Sequence, residues 1–175
     1  MTPGFSAFLL CTSAIAMAEI GDKTQFLAMT LAARAKKPVT VLLGIFLATF
    51  INNALAAALG HLVTATLGET FLRWVVGIGL LAMAAWMLLP EKEEDVRVRN
   101  GRLGVFGTAF LSFFLAELAD KTQIATMALS ARYADYYWYV VAGTTLGMML
   151  VNIPAVLIGE RAMRFLPMRL VHIIA

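Results

Sequence analysis

Long apolar stretches joined by short polar connections dominate this chain. A helix needs roughly 20 apolar residues to cross a bilayer. By that measure the sequence predicts five complete spans, Phe5 to Leu31, Val39 to Val63, Phe71 to Leu89, Leu103 to Leu129 and Tyr137 to Gly159. A sixth starts near Leu166, and the sequence stops at Ala175 before it reaches full length, so the native chain is expected to run on. Alternation at the strand period is weak, which argues against a β-barrel. The first stretch has no basic front and runs on through charged residues, so it does not read as a signal peptide. An all-α integral membrane protein is the expected fold class.

Two of these stretches are interrupted in the same way. The first contains Glu19-Ile20-Gly21-Asp22-Lys23-Thr24-Gln25, and the fourth contains Glu117-Leu118-Ala119-Asp120-Lys121-Thr122-Gln123. Ionisable groups at membrane depth are costly, and they usually face a bundle interior or a water-filled path and serve function. One such cluster reads as a buried ion pair. Two in matching order read as one site built from two halves.

The two halves can be aligned. Glu117 minus Glu19 and Arg132 minus Arg34 both give 98 residues. One register later, at 99, Gly44 meets Gly143, Asn53 meets Asn152 and Gly60 meets Gly159. This is a repeat of three spans. An odd number of spans inverts the second copy, a plan common in transporters with a midplane site. The expected organisation is a first repeat over residues 1–90, a charged linker over 91–102 and an inverted second repeat over 103–175.

Composition supports the membrane reading. Hydrophobic residues make up 61% of the 175 and charged residues 14%; soluble domains run about 45–50% and about 25%. A net charge of +3 gives no footprint for nucleic acid. Its placement is more informative. Arg34, Lys36 and Lys37 follow the first span, Lys92, Arg97, Arg99 and Arg102 the third, and Arg161, Arg164 and Arg169 the fifth. The positive-inside rule makes those loops cytoplasmic and puts the N-terminus outside, which is the periplasm if the membrane is a bacterial inner one. Cys11, the single cysteine, excludes an internal disulfide and reads as a small apolar helix residue.

On a continuous helix, residues three apart share a face. Glu19, Asp22 and Gln25 would then form one polar stripe, and Glu117, Asp120 and Gln123 another. Glu19, Asp22, Glu117 and Asp120 are the expected metal ligands. Carboxylate and amide oxygens are hard donors that suit calcium, manganese and magnesium. His61 and His172 fall near span ends and read as interfacial, and the ten methionines read as packing or lipid-facing residues. With Lys23 and Lys121 counted, four carboxylates leave two negative charges, enough for one divalent cation or two protons. Crowded carboxylates also favour proton uptake, so competition between metal and proton is the minimal exchanger. Lys23 and Lys121 pair with carboxylates of the other repeat or lock the empty state.

Several further positions carry two readings. Thr24 and Thr122 are either ligands or back-bonded to helix carbonyls. Asn53 and Asn152 either reach the site or join helices; Asn52 has no counterpart. Gly21 can open its helix, whereas Ala119 makes an opening less expected in the second copy. Pro154 is expected to kink the fifth span.

Two copies of Glu-x-Gly-Asp-Lys/Arg-Thr/Ser resemble the signature of the calcium/manganese–proton exchanger family, which includes Golgi exchangers and bacterial manganese exporters of the MneA/Mnx type. Glu19 to Thr24 matches fully, and Glu117 to Thr122 departs at Ala119. The resemblance implies six helices, cation binding by the acidic motif residues, and export driven by an inward gradient of protons (or sodium). The metal, Mn2+ or Ca2+, is then cargo rather than cofactor. The compact length is similar to the bacterial members and implies manganese export across the inner membrane. Other classes remain: a divalent-cation channel, a small-solute exporter, a non-transporting assembly factor, and an intramembrane aspartyl protease built on Asp22 and Asp120. The last lacks its usual first glycine, since Glu19 stands there.

Overall fold

A computed structural model describes residues 2–86, 104–118 and 120–165. Every regular element among them is helical: α1 Pro3–Glu19, α2 Lys23–Ala35, α3 Pro38–Trp86, α4 Gly104–Glu117, α5 Lys121–Arg132, a short 3-10 turn Ala134–Tyr136, and α6 Tyr137–Phe165. The expected linker and sixth span, with His172, lie outside the described residues, as do residues 87–89 of the expected third span.

Two expected spans are not single helices. The first is α1 and α2, bent by 79° across Ile20 to Asp22. The fourth is likewise α4 and α5, parted between Glu117 and Lys121. The local chemistry explains the first break. Gly21 has φ +81°, a conformation that costs an L side chain about 1–2 kcal/mol and glycine almost nothing. Asp22 and Asp120 then take extended backbone, at φ −77° and −85°, as N-caps of α2 and α5. At Asp120 the carboxylate accepts from Thr122 N, which favours a helix start there over an uninterrupted helix, whereas Asp22 caps by backbone conformation alone.

The expected second and third spans follow one another within α3 as two helices that meet at a kink at Gly68, which has φ +81° and ψ 165°. Pro38–Thr66 and Ala134–Gly159 are long and apolar enough to cross a membrane, and the bent pair α1 and α2 is a third candidate. α6 runs through Pro154 as one helix.

The helices exchange partners. α1 and α2 pack along α6, α4 and α5 pack along α3, and α3 packs on α6. Close backbone approach fixes these contacts. A Cβ on Gly60 would fall on the carbonyl of Met127, and one on Gly159 on the carbonyl of Met29. Gly44 sits against Phe106, Ala109 and Phe110, and Gly143 against Phe8 and Cys11. Residue numbers rise together along both pairs, so α1 runs parallel to α6 and α4 to α3.

Large apolar side chains such as Met17, Phe26, Val39, Leu81 and Leu115 face outward. Ala28, Ile45, Ala109, Phe113 and Val156 fill the interior. Alongside them lie buried polar groups, among them Glu19, Asn52, Asn53, Glu117, Thr126, Thr145 and Asn152. Apolar outside with polar groups at the centre suits a bilayer, where only the interior can satisfy a polar side chain.

Candidate cation site at two helix breaks

Glu19 is the last residue of α1 and Asp22 caps α2, so the chain reversal between them brings both carboxylates to one point. Asp120 reaches the same point from the second half. Oxygens of Glu19, Asp22 and Asp120 lie within 4.8 Å of one another, close enough to hold one metal ion. Two of the three are buried and Asp22 is partly so. Lys121 Nζ lies 2.6 Å from Asp22 Oδ1, a pair formed across the halves. Three carboxylates against one ammonium leave two negative charges, which one divalent cation neutralises.

The helix ends add direction. α1 and α4 finish at the breaks with carbonyl groups, while α2 and α5 begin there with N–H groups. The Glu19 carbonyl accepts from Asp22 N at 3.1 Å and from Gln25 Nε2 at 3.0 Å. The Glu117 carbonyl accepts from Asp120 N at 3.2 Å. Asp120 Oδ2 accepts from Thr122 N at 3.4 Å, the usual N-cap bond.

Glu117 is not part of the carboxylate triplet. It is fully buried, and its Oε1 accepts from Thr49 Oγ1 of α3 at 3.0 Å while Oε2 has no partner. The shared helical face expected for Glu117 and Asp120 fails because α4 ends between them. The two threonine hydroxyls are engaged by motif carboxylates rather than by helix carbonyls. Thr24 Oγ1 lies 3.1 Å from Glu19 Oε2 and 3.4 Å from Asp22 Oδ2, and Thr122 Oγ1 donates to Asp120 Oδ2 at 2.9 Å. Each hydroxyl has one proton to give, and it goes to a motif carboxylate.

The asparagines divide. Asn53 is engaged between helices: its Nδ2 reaches Thr145 Oγ1 at 3.3 Å and Met148 Sδ at 3.7 Å, and its Oδ1 accepts from Thr126 Oγ1 at 3.5 Å. Asn152 is fully buried with neither amide atom bonded, and Gln123 Nε2 is also buried without a partner. Asn52 donates to the Phe114 carbonyl at 3.1 Å and helps hold α4 on α3. Lys23 and His61 are exposed, and Cys11 is buried in α1.

Sequence reasoning passes over Thr49, Thr126 and Ser130. The last two continue from Thr122 at four-residue spacing on α5, and all three are buried. That spacing is the signal that could have found them. Thr49 carries none, because its partner lies 68 residues away.

A bundle with an apolar exterior and a carboxylate cluster at paired helix breaks has the makings of a membrane carrier for a hard cation. The family described as "Divalent cation/proton antiporter GDT1" matches residues 7–95 and 105–175, and this chain belongs to it. It is therefore a transporter of divalent cations rather than an enzyme, and the metal is its substrate. A Vibrio cholerae protein named "Putative manganese exporter" is 46% identical over 170 residues, covering 95% of this chain and 83% of the relative. The Saccharomyces cerevisiae "Divalent cation/proton antiporter GDT1" is 26% identical, over 88% of this chain and 73% of its own. A Synechocystis protein, "GDT1-like protein sll0615", is 30% identical over 91% and 84%. No solved structure matches the chain.

Proposed function

We propose that this protein exports manganese across a bacterial inner membrane in exchange for protons. The observation that carries the reading is the convergence of Glu19, Asp22 and Asp120, from both halves of the sequence, on one point at two helix breaks. These three are the ligands. Asn152, buried with its amide unbonded, supplies a further oxygen as the cation enters. Glu117 is held by Thr49 and acts beside the site rather than in it. Lys121 neutralises Asp22 in the empty state and is displaced by the cation.

The architecture we favour is six spans in two inverted repeats, residues 1–90 and 103–175, joined by a cytoplasmic linker with the N-terminus periplasmic. Gly60 and Gly159, 99 residues apart, abut Met127 and Met29, 98 residues apart, which supports a repeat at the level of contacts. Opposite helix directions in the two halves would present the same site to the two membrane faces in turn. Manganese is the preferred substrate on the strength of the Vibrio cholerae relative, and oxygen ligands accommodate it.

The test is flux in proteoliposomes with an imposed pH gradient. Manganese should move against its own gradient toward the acidic side, faster than calcium. Flux indifferent to the pH gradient would overturn proton exchange and favour sodium coupling or a passive pore.

A further inference from the structure

The two glutamates that close α1 and α4 have different neighbours. Glu117 accepts a hydrogen bond from the Thr49 hydroxyl on α3. The corresponding place opposite Glu19 is position 148 of α6, since 148 minus 49 is 99 and 117 minus 19 is 98. Helix contacts give the same level without appeal to the repeat. Gly143 packs on Phe8 and Cys11, and Gly147 packs on Thr12, Ile15 and Ala16. The parallel course of α1 and α6 therefore sets Met148 one turn before Glu19. Thr49 stands in the same relation to Glu117, about one turn before it by the contact of Gly44 with Phe106, Ala109 and Phe110, and those two side chains meet.

Both residues are fully buried, and Glu19 Oε1 has no partner in the protein. Where Thr49 donates a hydrogen bond to Glu117, Met148 brings only sulfur lone pairs. Its sulfur is also turned toward polar groups, 3.7 Å from Asn53 Nδ2. That is unlike a methionine that merely fills a gap between apolar side chains.

We propose that Met148 is a specificity-determining ligand, whose thioether joins Glu19, Asp22 and Asp120 around the transported ion and favours manganese over calcium and magnesium. The proposal rests on the reading of that carboxylate cluster as the cation site. Calcium takes six to eight oxygens and gains little from sulfur. First-row transition ions accept a softer donor as well. One thioether among carboxylates thus leaves calcium a ligand short at little cost to manganese. The methionine is set apart from the packing role expected of this residue type in the sequence.

Binding of Mn2+, Ca2+ and Cd2+ to the purified full chain in nanodiscs tests this. Met148→Leu keeps the volume and removes the sulfur; it should lower the preference for manganese over calcium by about tenfold. Met148→Thr, which adds an oxygen, should shift the preference further toward calcium. X-ray absorption of the Cd2+-loaded wild type should contain a sulfur neighbour that Met148→Leu lacks. A manganese-to-calcium ratio unchanged within about twofold, or an environment of oxygen and nitrogen alone in the wild type, overturns the role of Met148. Should Met148→Leu fail to fold, the wild-type absorption spectrum decides. Glu19→Gln is measured alongside: if it too leaves binding intact, the cluster itself is not the site, whereas its loss of binding with an unchanged Met148→Leu ratio removes Met148 alone.

Discussion

Lys121 and Asp22 lie 99 residues apart in sequence, yet the ammonium and the carboxylate are 2.6 Å apart and tie α5 to the start of α2. The pair engages one of the two carboxylate oxygens of Asp22. Replacing Lys121 with Gln leaves Asp22 free and the cluster one charge more negative. Affinity for Mn2+ should rise by about tenfold or more, equivalent to about 1.4 kcal/mol, while turnover falls because release becomes harder. Calorimetry and flux on the same variant check both halves of that statement, and weaker binding would show that Lys121 helps hold the ion.

The four motif carboxylates should not behave alike. Glu19→Gln, Asp22→Asn and Asp120→Asn each remove a member of the triplet, and each should weaken Mn2+ binding by roughly 100-fold. Glu117→Gln should leave binding within about tenfold of wild type, because its side chain is held by Thr49, and should show its effect in flux. Equal losses in all four would return Glu117 to the ligand set.

Protons should compete with the metal. The carboxylates must be ionised to bind, so binding releases whatever protons the empty cluster holds. Apparent Mn2+ affinity should therefore fall as pH is lowered through the carboxylate titration. Calorimetry in buffers of different ionisation enthalpy counts the protons, and a count of zero would remove the competition.

Gly21 is needed for its backbone alone. At φ +81° nothing lies within 4 Å of where a Cβ would stand. Gly21→Ala should cost about 1–2 kcal/mol, the strain of that conformation, whereas Gly159→Leu strikes the Met29 backbone and should cost about 1–3 kcal/mol or more. Thermal unfolding in detergent ranks the two, and a more harmful Gly21→Ala would point to a role beyond the turn.

Orientation is open to labelling. With a cytoplasmic linker, Lys92→Cys in intact cells should be protected from an impermeant thiol reagent, and Asp135→Cys should react. Cys11 is buried and contributes little background. The reverse pattern would invert the protein and the direction of transport with it.

The doubled motif makes Glu19, Asp22, Asp120 and Lys121 legible in the sequence alone. The way they meet is not the one that helical spacing predicts. A shared helical face would have lined up Glu19 with Asp22 and Glu117 with Asp120. Instead a break brings Glu19 beside Asp22, while Glu117 is held by Thr49 and is not among the three grouped carboxylates. Apolar length alone does not reveal a break at Asp22 or Asp120, because periodicity weights an N-cap and a helix interior alike. Gly21 hints at one, but the second copy breaks with Ala119 in the glycine's place. The roles of Thr49 and Met148 are out of the sequence's reach, since each depends on which helix lies alongside, and the halves cross over to pack.

That crossing bears on how the protein comes to exist at all. As the chain is made, α1 and α2 enter the membrane well before α6, the helix they pack against, has been synthesised. The carboxylates of Glu19 and Asp22 pass that interval without the helix that covers them in the folded protein. If the halves are inverted repeats as proposed, two fragments cut between them and made together would be expected to find each other only when inserted in opposite senses, each supplying the long helix that the other lacks.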